Sequence, residues 1–97
     1  EDLTYKKIPI RDIYFIEVFK NYLELNLSQD RHVIRSTLKD FLAVLPNEFF
    51  MQTHRSFVVN MERIDEIGGN FLQIGATKVP VSRGQKEGVL SRLKFYF

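Results

Sequence analysis

Ninety-seven residues, 44% of them hydrophobic, suit one globular domain with a single core and lie far from the disordered class. A net charge of +2 is too small to announce a polyanion partner, and the lack of cysteine removes disulfides, thiolate metal sites and a cysteine nucleophile. No apolar run approaches the ~20 residues of a membrane-spanning helix, so no membrane contact is expected, and a cysteine-free chain suits a reducing cytoplasm.

Most of the chain reads as short strands. Ile8 and Ile10 alternate around Pro9, whose missing N–H predicts a sheet edge. Ile13 to Val18 is a β-branched and aromatic run that predicts a central strand. The stretch from Tyr22 to Leu27 alternates, with Leu23, Leu25 and Leu27 expected inward and Tyr22, Glu24 and Asn26 outward. Only Phe19-Lys20-Asn21 separates the two runs, which predicts a hairpin with Asn21 at a positive-φ position. After Ser28-Gln29-Asp30, a strand resumes over His32 to Arg35, with His32 on its exposed face.

Helical spacing then appears. Leu38, Phe41, Leu42 and Leu45 fall at i, i+3, i+4 and i+7, Ser36 or Thr37 can cap the start, and Pro46 stops it. This predicts two to three turns over a sheet. Strand character returns at 49–52, 56–60, 65–67, 71–74 and 78–81, with turns at Gly68-Gly69-Asn70 and Gly75-Ala76-Thr77. A last helix is expected from Ser82 as cap, with Gln85 at capping-box spacing and Val89, Leu90 and Leu93 as the apolar stripe. The fold class is therefore mostly β, with one short central helix and a C-terminal helix.

Three polar clusters interrupt the apolar pattern: Lys20-Asn21-Tyr22, His54-Arg55-Ser56, and Ser82 to Lys86. Arg and Ser donate well to phosphate, and Arg pairs bidentately with guanine. Arg83 and Lys86 are cations in the first turn of the expected helix, where the dipole favours anions; a phosphate there would resolve the misfit. From residue 50 onward the bases Arg55, Arg63, Lys78, Arg83, Lys86, Arg92 and Lys94 outnumber the acids. Each cluster also has a structural reading. Arg55 could pair with Glu62 or Asp65, His54 could fix its loop by donating to a carbonyl, and Asn60 could end its strand and cap the turn at Met61 to Arg63. Asn21 could serve turn geometry alone.

Catalysis is not expected. His54 and Ser56 have no orienting acid or oxyanion motif, and two histidines 22 positions apart suggest no metal site. No cofactor is called for. An RNA or single-strand binder stacking bases on Tyr14, Tyr22 or Phe19 competes with a duplex binder, and a protein-interaction module is a third reading.

In order along the chain, Asp12-Ile13-Tyr14-Phe15-Ile16-Glu17, Asn21-Tyr22-Leu23-Glu24-Leu25, Ser36-Thr37-Leu38-Lys39 leading to Leu45-Pro46, Phe49 with His54-Arg55-Ser56-Phe57-Val58-Val59-Asn60, and Val79-Pro80-Val81-Ser82-Arg83 form a set. By these residues the whole chain, 1–97, resembles the LytTR DNA-binding domain of bacterial two-component response regulators. The resemblance implies small antiparallel sheets in an elongated fold. It also implies loops inserted into successive major grooves of tandem direct repeats in promoters, as the output half of a transcription regulator. It places base contacts on Asn21, Arg55 and Arg83, with Lys20, Tyr22, His54, Ser56, Asn60, Ser82 and Lys86 contacting the DNA backbone or supporting the loops. It also implies a receiver domain in the full-length chain or, as in some relatives, a membrane segment in its place, and the chain fits a C-terminal fragment. The isolated domain is expected to be a monomer that pairs on DNA.

Overall fold

A computed structural model describes residues 5–93, so Lys94 falls outside the described residues. In chain order the elements are β1 Phe15–Val18, β2 Leu23–Asn26, β3 Arg31–Ile34, α1 Leu38–Leu42, β4 Phe50–His54, β5 Phe57–Asn60, β6 Glu66–Ile67, β7 Phe71–Ile74, β8 Thr77–Pro80 and α2 Lys86–Leu93. Five strands form one sheet in the order β3-β2-β1-β5-β4, and β6-β7-β8 form a second. Every pairing is antiparallel. The body measures 48 × 23 × 22 Å, an elongated, mostly β molecule as the family resemblance implies.

The central strands explain the unbroken apolar runs. Phe15 of β1 and Val59 of β5 face a core shared with the second sheet and α2, while Ile16 and Val58 face a second core under α1. A strand covered on both sides cannot alternate polar and apolar residues. Each such side chain contributes about 1.5–3 kcal/mol by full burial, so β1 and β5 anchor both layers.

Helix α1 is capped by Thr37, whose Oγ1 accepts from the Asp40 N–H at 3.0 Å. It is shorter than the two to three turns its spacing suggests. Beyond Leu42 the chain continues in three-residue turns, Val44 N–H to Phe41 at 3.1 Å and Leu45 N–H to Leu42 at 3.3 Å. Pro46 bars the residue before it from helical geometry, so Leu45 reaches the core on a turn instead.

Several expectations need correction. The segment around Pro9 forms no strand; Ile10–Asp12 is a 3-10 turn. No non-glycine residue among those described has positive φ, so Asn21 turns the hairpin without it. Gly75, at φ 60°, is the position where a turn needs that freedom. At Gly68 the need is room, since a Cβ there would run into the Phe71 ring. Asn26 is buried, not outward, with its amide on the Glu24 carbonyl at 3.2 Å. His32 shares the half-buried side of β3 with Ile34, while Val33 takes the exposed one.

Candidate nucleic-acid interface

Hydrogen-bond register places the polar clusters. Val18 pairs with Leu23 across β1 and β2, and Glu17 pairs with Phe57 across β1 and β5. The β1–β2 turn and the β4–β5 turn therefore open at the same end of the large sheet. The Val18 N–H donates to the Ser56 carbonyl at 2.8 Å, which stitches the two turns together.

The third cluster arrives through a bulge. The β4–β5 register shifts between Gln52 and His54, so Thr53 drops out of the ladder. Its carbonyl accepts the Ser82 N–H at 2.8 Å, and its hydroxyl donates to the Pro80 carbonyl at 3.1 Å. Fully buried Thr53 thus ties the end of β8 beside β4, two residues from Arg55 and one from Arg83 by chain. Nothing in the sequence pattern singles out Thr53; only the broken register reveals it.

The turns are firmly built. In the first, the Phe19 N–H donates to the Tyr22 carbonyl at 2.9 Å, and the two rings stack at 4.7 Å with 14° between planes. Lys20 and Asn21 project from this base and are exposed. In the second, His54 Nδ1 accepts the Ser56 N–H at 3.0 Å and the ring meets Phe57 edge-on at 5.8 Å. His54 thus fixes its loop as an acceptor, not as the donor considered from sequence. Gln52 Nε2 closes the loop on the His54 carbonyl at 3.3 Å. Arg55 at the tip is exposed.

Arg55 and Arg83 make no side-chain hydrogen bond among the described residues, where the ion pairs are Arg31–Glu24 and Arg63–Asp12. The pairing of Arg55 with Glu62 or Asp65 is therefore not formed; Asp65 instead accepts the Gly75 N–H at 2.9 Å. Arg83 lies in a 3-10 turn, Arg83–Gln85, that precedes α2. Ser82 makes no side-chain capping bond; its carbonyl, not its hydroxyl, accepts from Gln85 at 3.0 Å. The capping box read from the sequence is absent, which leaves the Ser82 hydroxyl beside the Arg83 cleft, about 350 Å³ in volume.

Two supporting residues have internal partners. Asn60 is 1% exposed. Its Oδ1 accepts the Glu62 N–H at 2.9 Å and its Nδ2 donates to the Ile13 carbonyl at 2.9 Å, so it is a cap and cross-link out of reach of a ligand. The Lys86 ammonium donates to the Gly68 carbonyl at 3.1 Å and to the Gly69 carbonyl, fastening the β6–β7 turn to α2. Tyr14 lies beneath the Arg63 guanidinium at 4.6 Å.

Comparison with known proteins agrees with this architecture. The sequence model of the LytTr DNA-binding domain matches residues 4–94. The sensory transduction protein LytT of Enterococcus faecalis is 37% identical over 89 residues, covering 86% of this chain and 36% of that protein. The transcriptional regulatory protein YpdB of Escherichia coli K12 is 34% identical over 59 residues, 61% of this chain and 24% of that protein. The chain thus spans roughly a quarter to a third of the length of these relatives. Among solved structures, the LytTr DNA-binding domain of a Bacillus cereus response regulator superposes with a TM-score of 0.80 at 24% identity, covering 89% of this chain and 84% of that one. With eight short antiparallel strands among the described residues, a capped helix and a family match over residues 4–94, the chain belongs to the LytTr DNA-binding domain family.

Proposed function

We propose that the chain binds duplex DNA sequence-selectively by setting three loops into the major groove, as the output domain of a two-component transcription regulator. Asn21, Arg55 and Arg83 read base edges. Lys20, Tyr22, Ser56 and Ser82 contact phosphates and sugars, and His54 and Lys86 hold the loops in shape. The observation that carries this reading is the pair of backbone bonds, Val18 to Ser56 and Ser82 to Thr53, which tie the three loops to one end of the sheet. Neighbouring strands lie ~4.8 Å apart, so the first two turns are centred two strand spacings, ~10 Å, from each other. A major groove ~12 Å wide accommodates that separation.

Stacking on single strands has less support. Phe19 and Tyr22 stack on each other, and Tyr14 is covered by Arg63. The names of the relatives, a sensory transduction protein and a transcriptional regulatory protein, fit an output domain joined to a receiver. Cytoplasmic location and pairing on tandem direct repeats belong to the same proposal. Two linked copies would gain affinity by effective concentration.

Selection of bound duplexes from a random pool, followed by competition with single strands of the same sequence, tests the reading. A recovered motif that duplex competes for and single strand does not is the expected result. A pool that emerges without sequence bias, or equal competition by single strands, would overturn it.

A further inference from the structure

The loop end of the large sheet has a fourth member that neither the motif pattern nor the base-reading loops include. Strand β3 runs antiparallel to β2, and Ile34 pairs with Leu23. Arg35 is the next residue, so it emerges at the same end as the β1–β2 turn, beside Tyr22. It is exposed, and its guanidinium has no hydrogen bond or ion pair among the described residues. The chain then leaves the sheet through Ser36, whose hydroxyl donates to the Thr37 carbonyl at 2.9 Å, into the Thr37 cap of α1. Arg35 therefore stands on an anchored backbone, fixed behind by the β2–β3 ladder and ahead by the helix cap.

We propose that Arg35 is a DNA-positioning residue that grips a backbone phosphate at the flank of the groove, an inference that rests on the duplex-binding reading above. Strand order decides between base and phosphate. Along the loop end, the sequence in space is β3, then the turn of β2 and β1, then the turn of β5 and β4. Arg35 lies one and a half strand spacings, ~7 Å, outside the centre of the β1–β2 turn. Two loops centred ~10 Å apart already occupy most of a groove ~12 Å wide. A cation ~7 Å farther out meets the sugar-phosphate wall. A guanidinium suits that position because its planar fork of donors matches two phosphate oxygens. A contact there sets register and adds affinity but carries no sequence preference.

The test uses the 97-residue chain, a duplex that the wild type selects from a random pool, and an unrelated duplex of equal length. Arg31, at the far end of the same strand, provides the charge-matched control. Arg35→Ala is expected to weaken binding to both duplexes by a similar factor, about 3- to 10-fold, and to lower the salt slope by about one unit, while Arg31→Ala leaves the slope unchanged. Arg35→Lys should restore most of the slope but not all of the affinity, because a point charge replaces a fork. Wild-type affinity and slope in Arg35→Ala would overturn the proposal. So would an equal slope change in Arg31→Ala, which would mean net charge alone, or a loss confined to one base position, which would mean base reading. If wild type binds neither duplex with salt-dependent affinity, the duplex-binding reading fails first and this inference falls with it.

Discussion

Arginine and asparagine occupy both ends of the five-stranded sheet, and the two ends use them in opposite ways. At the end where β1 begins and β5 finishes, Arg63 and Asn60 are held by internal partners. Arg63 donates through Nε and Nη2 to the Arg11 carbonyl at 3.2 and 2.8 Å, pairs with Asp12 at 3.9 Å and covers Tyr14. Asn60 bonds three backbone groups, the Arg11 carbonyl at 3.4 Å being the longest. At the loop end, Lys20, Asn21, Arg35, Arg55 and Arg83 are exposed, and their side chains make no hydrogen bond or ion pair among the described residues. Residue type therefore does not separate a structural cation from one available to a ligand. The presence or absence of a backbone carbonyl within reach does.

The largest expected effect lies at the partnered end. Asn60→Ala removes two donors and one acceptor from a fully enclosed site, orphaning the Ile13 carbonyl and the Glu62 N–H. We expect a stability loss on the order of 3 kcal/mol by urea unfolding, combining a buried unsatisfied group with a lost cap. The folded fraction should keep its DNA affinity. Loss of less than about 0.5 kcal/mol, as for an ordinary surface change, would remove Asn60 from the framework.

Arg83→Ala should show the converse at the loop end. We expect 1–3 kcal/mol (about 5- to 150-fold) lost in binding, with relaxed preference at one position of the selected site. Its thermal midpoint should hardly move, since no contact within the protein is removed. A variant that binds as tightly as wild type, or one that loses stability instead, would break the contrast between the ends.

Lys86 sharpens the contrast because it lies on the boundary. Its place in the chain suggests a phosphate contact, and its ammonium is bonded to the Gly68 and Gly69 carbonyls. For Lys86→Met we expect about 1 kcal/mol lost in stability, reduced from the value for a buried charged donor because the site is partly open. The salt slope of DNA binding should stay within half a unit of wild type, against a drop of about one for a phosphate contact. A full-unit drop with unchanged stability would return Lys86 to the interface.

Much of this was legible in the sequence, for identifiable reasons. The alternation of Leu23 and Leu25 and the doubled apolar pairs Phe15-Ile16 and Val58-Val59 carry burial on one face or both, and burial is what places strands in a sheet. Turn positions followed from Gly75 and the polar pair Lys20-Asn21. Boundaries drifted where a hydrogen bond rather than a pattern decides them, as at Pro9, where a 3-10 turn replaces a strand, and at Ser82, where the backbone carbonyl replaces the hydroxyl as acceptor. The sequence could not reveal the Thr53 bulge, because it depends on the Ser82 N–H arriving from 29 residues later. Arg35 was invisible for a similar reason: its place beside the first turn follows from strand register, which one residue of slip would reverse.

The smallest expected effect tests the sheet just inside the loop end. Glu17 and Glu24 face each other across β1 and β2, and Arg31 bonds only the latter, at 3.7 Å. Burial, and then the Glu24 charge, push the Glu17 carboxyl above its ordinary value, with Arg31 opposing. A carboxyl whose pKa is higher folded than unfolded takes up a proton on folding, so its ionised form costs stability above the folded pKa. That cost fades as pH falls through the raised value and is gone below the unfolded one. Glu17→Gln should therefore stabilise the domain at neutral pH by up to about 0.5 kcal/mol, the scale of an exposed like-charged cross-strand pair. The gain should vanish in acid. Because Glu17 lies one residue from the Val18–Ser56 bond that joins two loops, the same substitution also removes a negative charge close to the proposed phosphate path. DNA affinity at neutral pH should rise slightly and the salt slope should not change. A gain in stability that persists at acid pH would assign the effect to packing against Phe57, its other cross-strand neighbour, and not to charge.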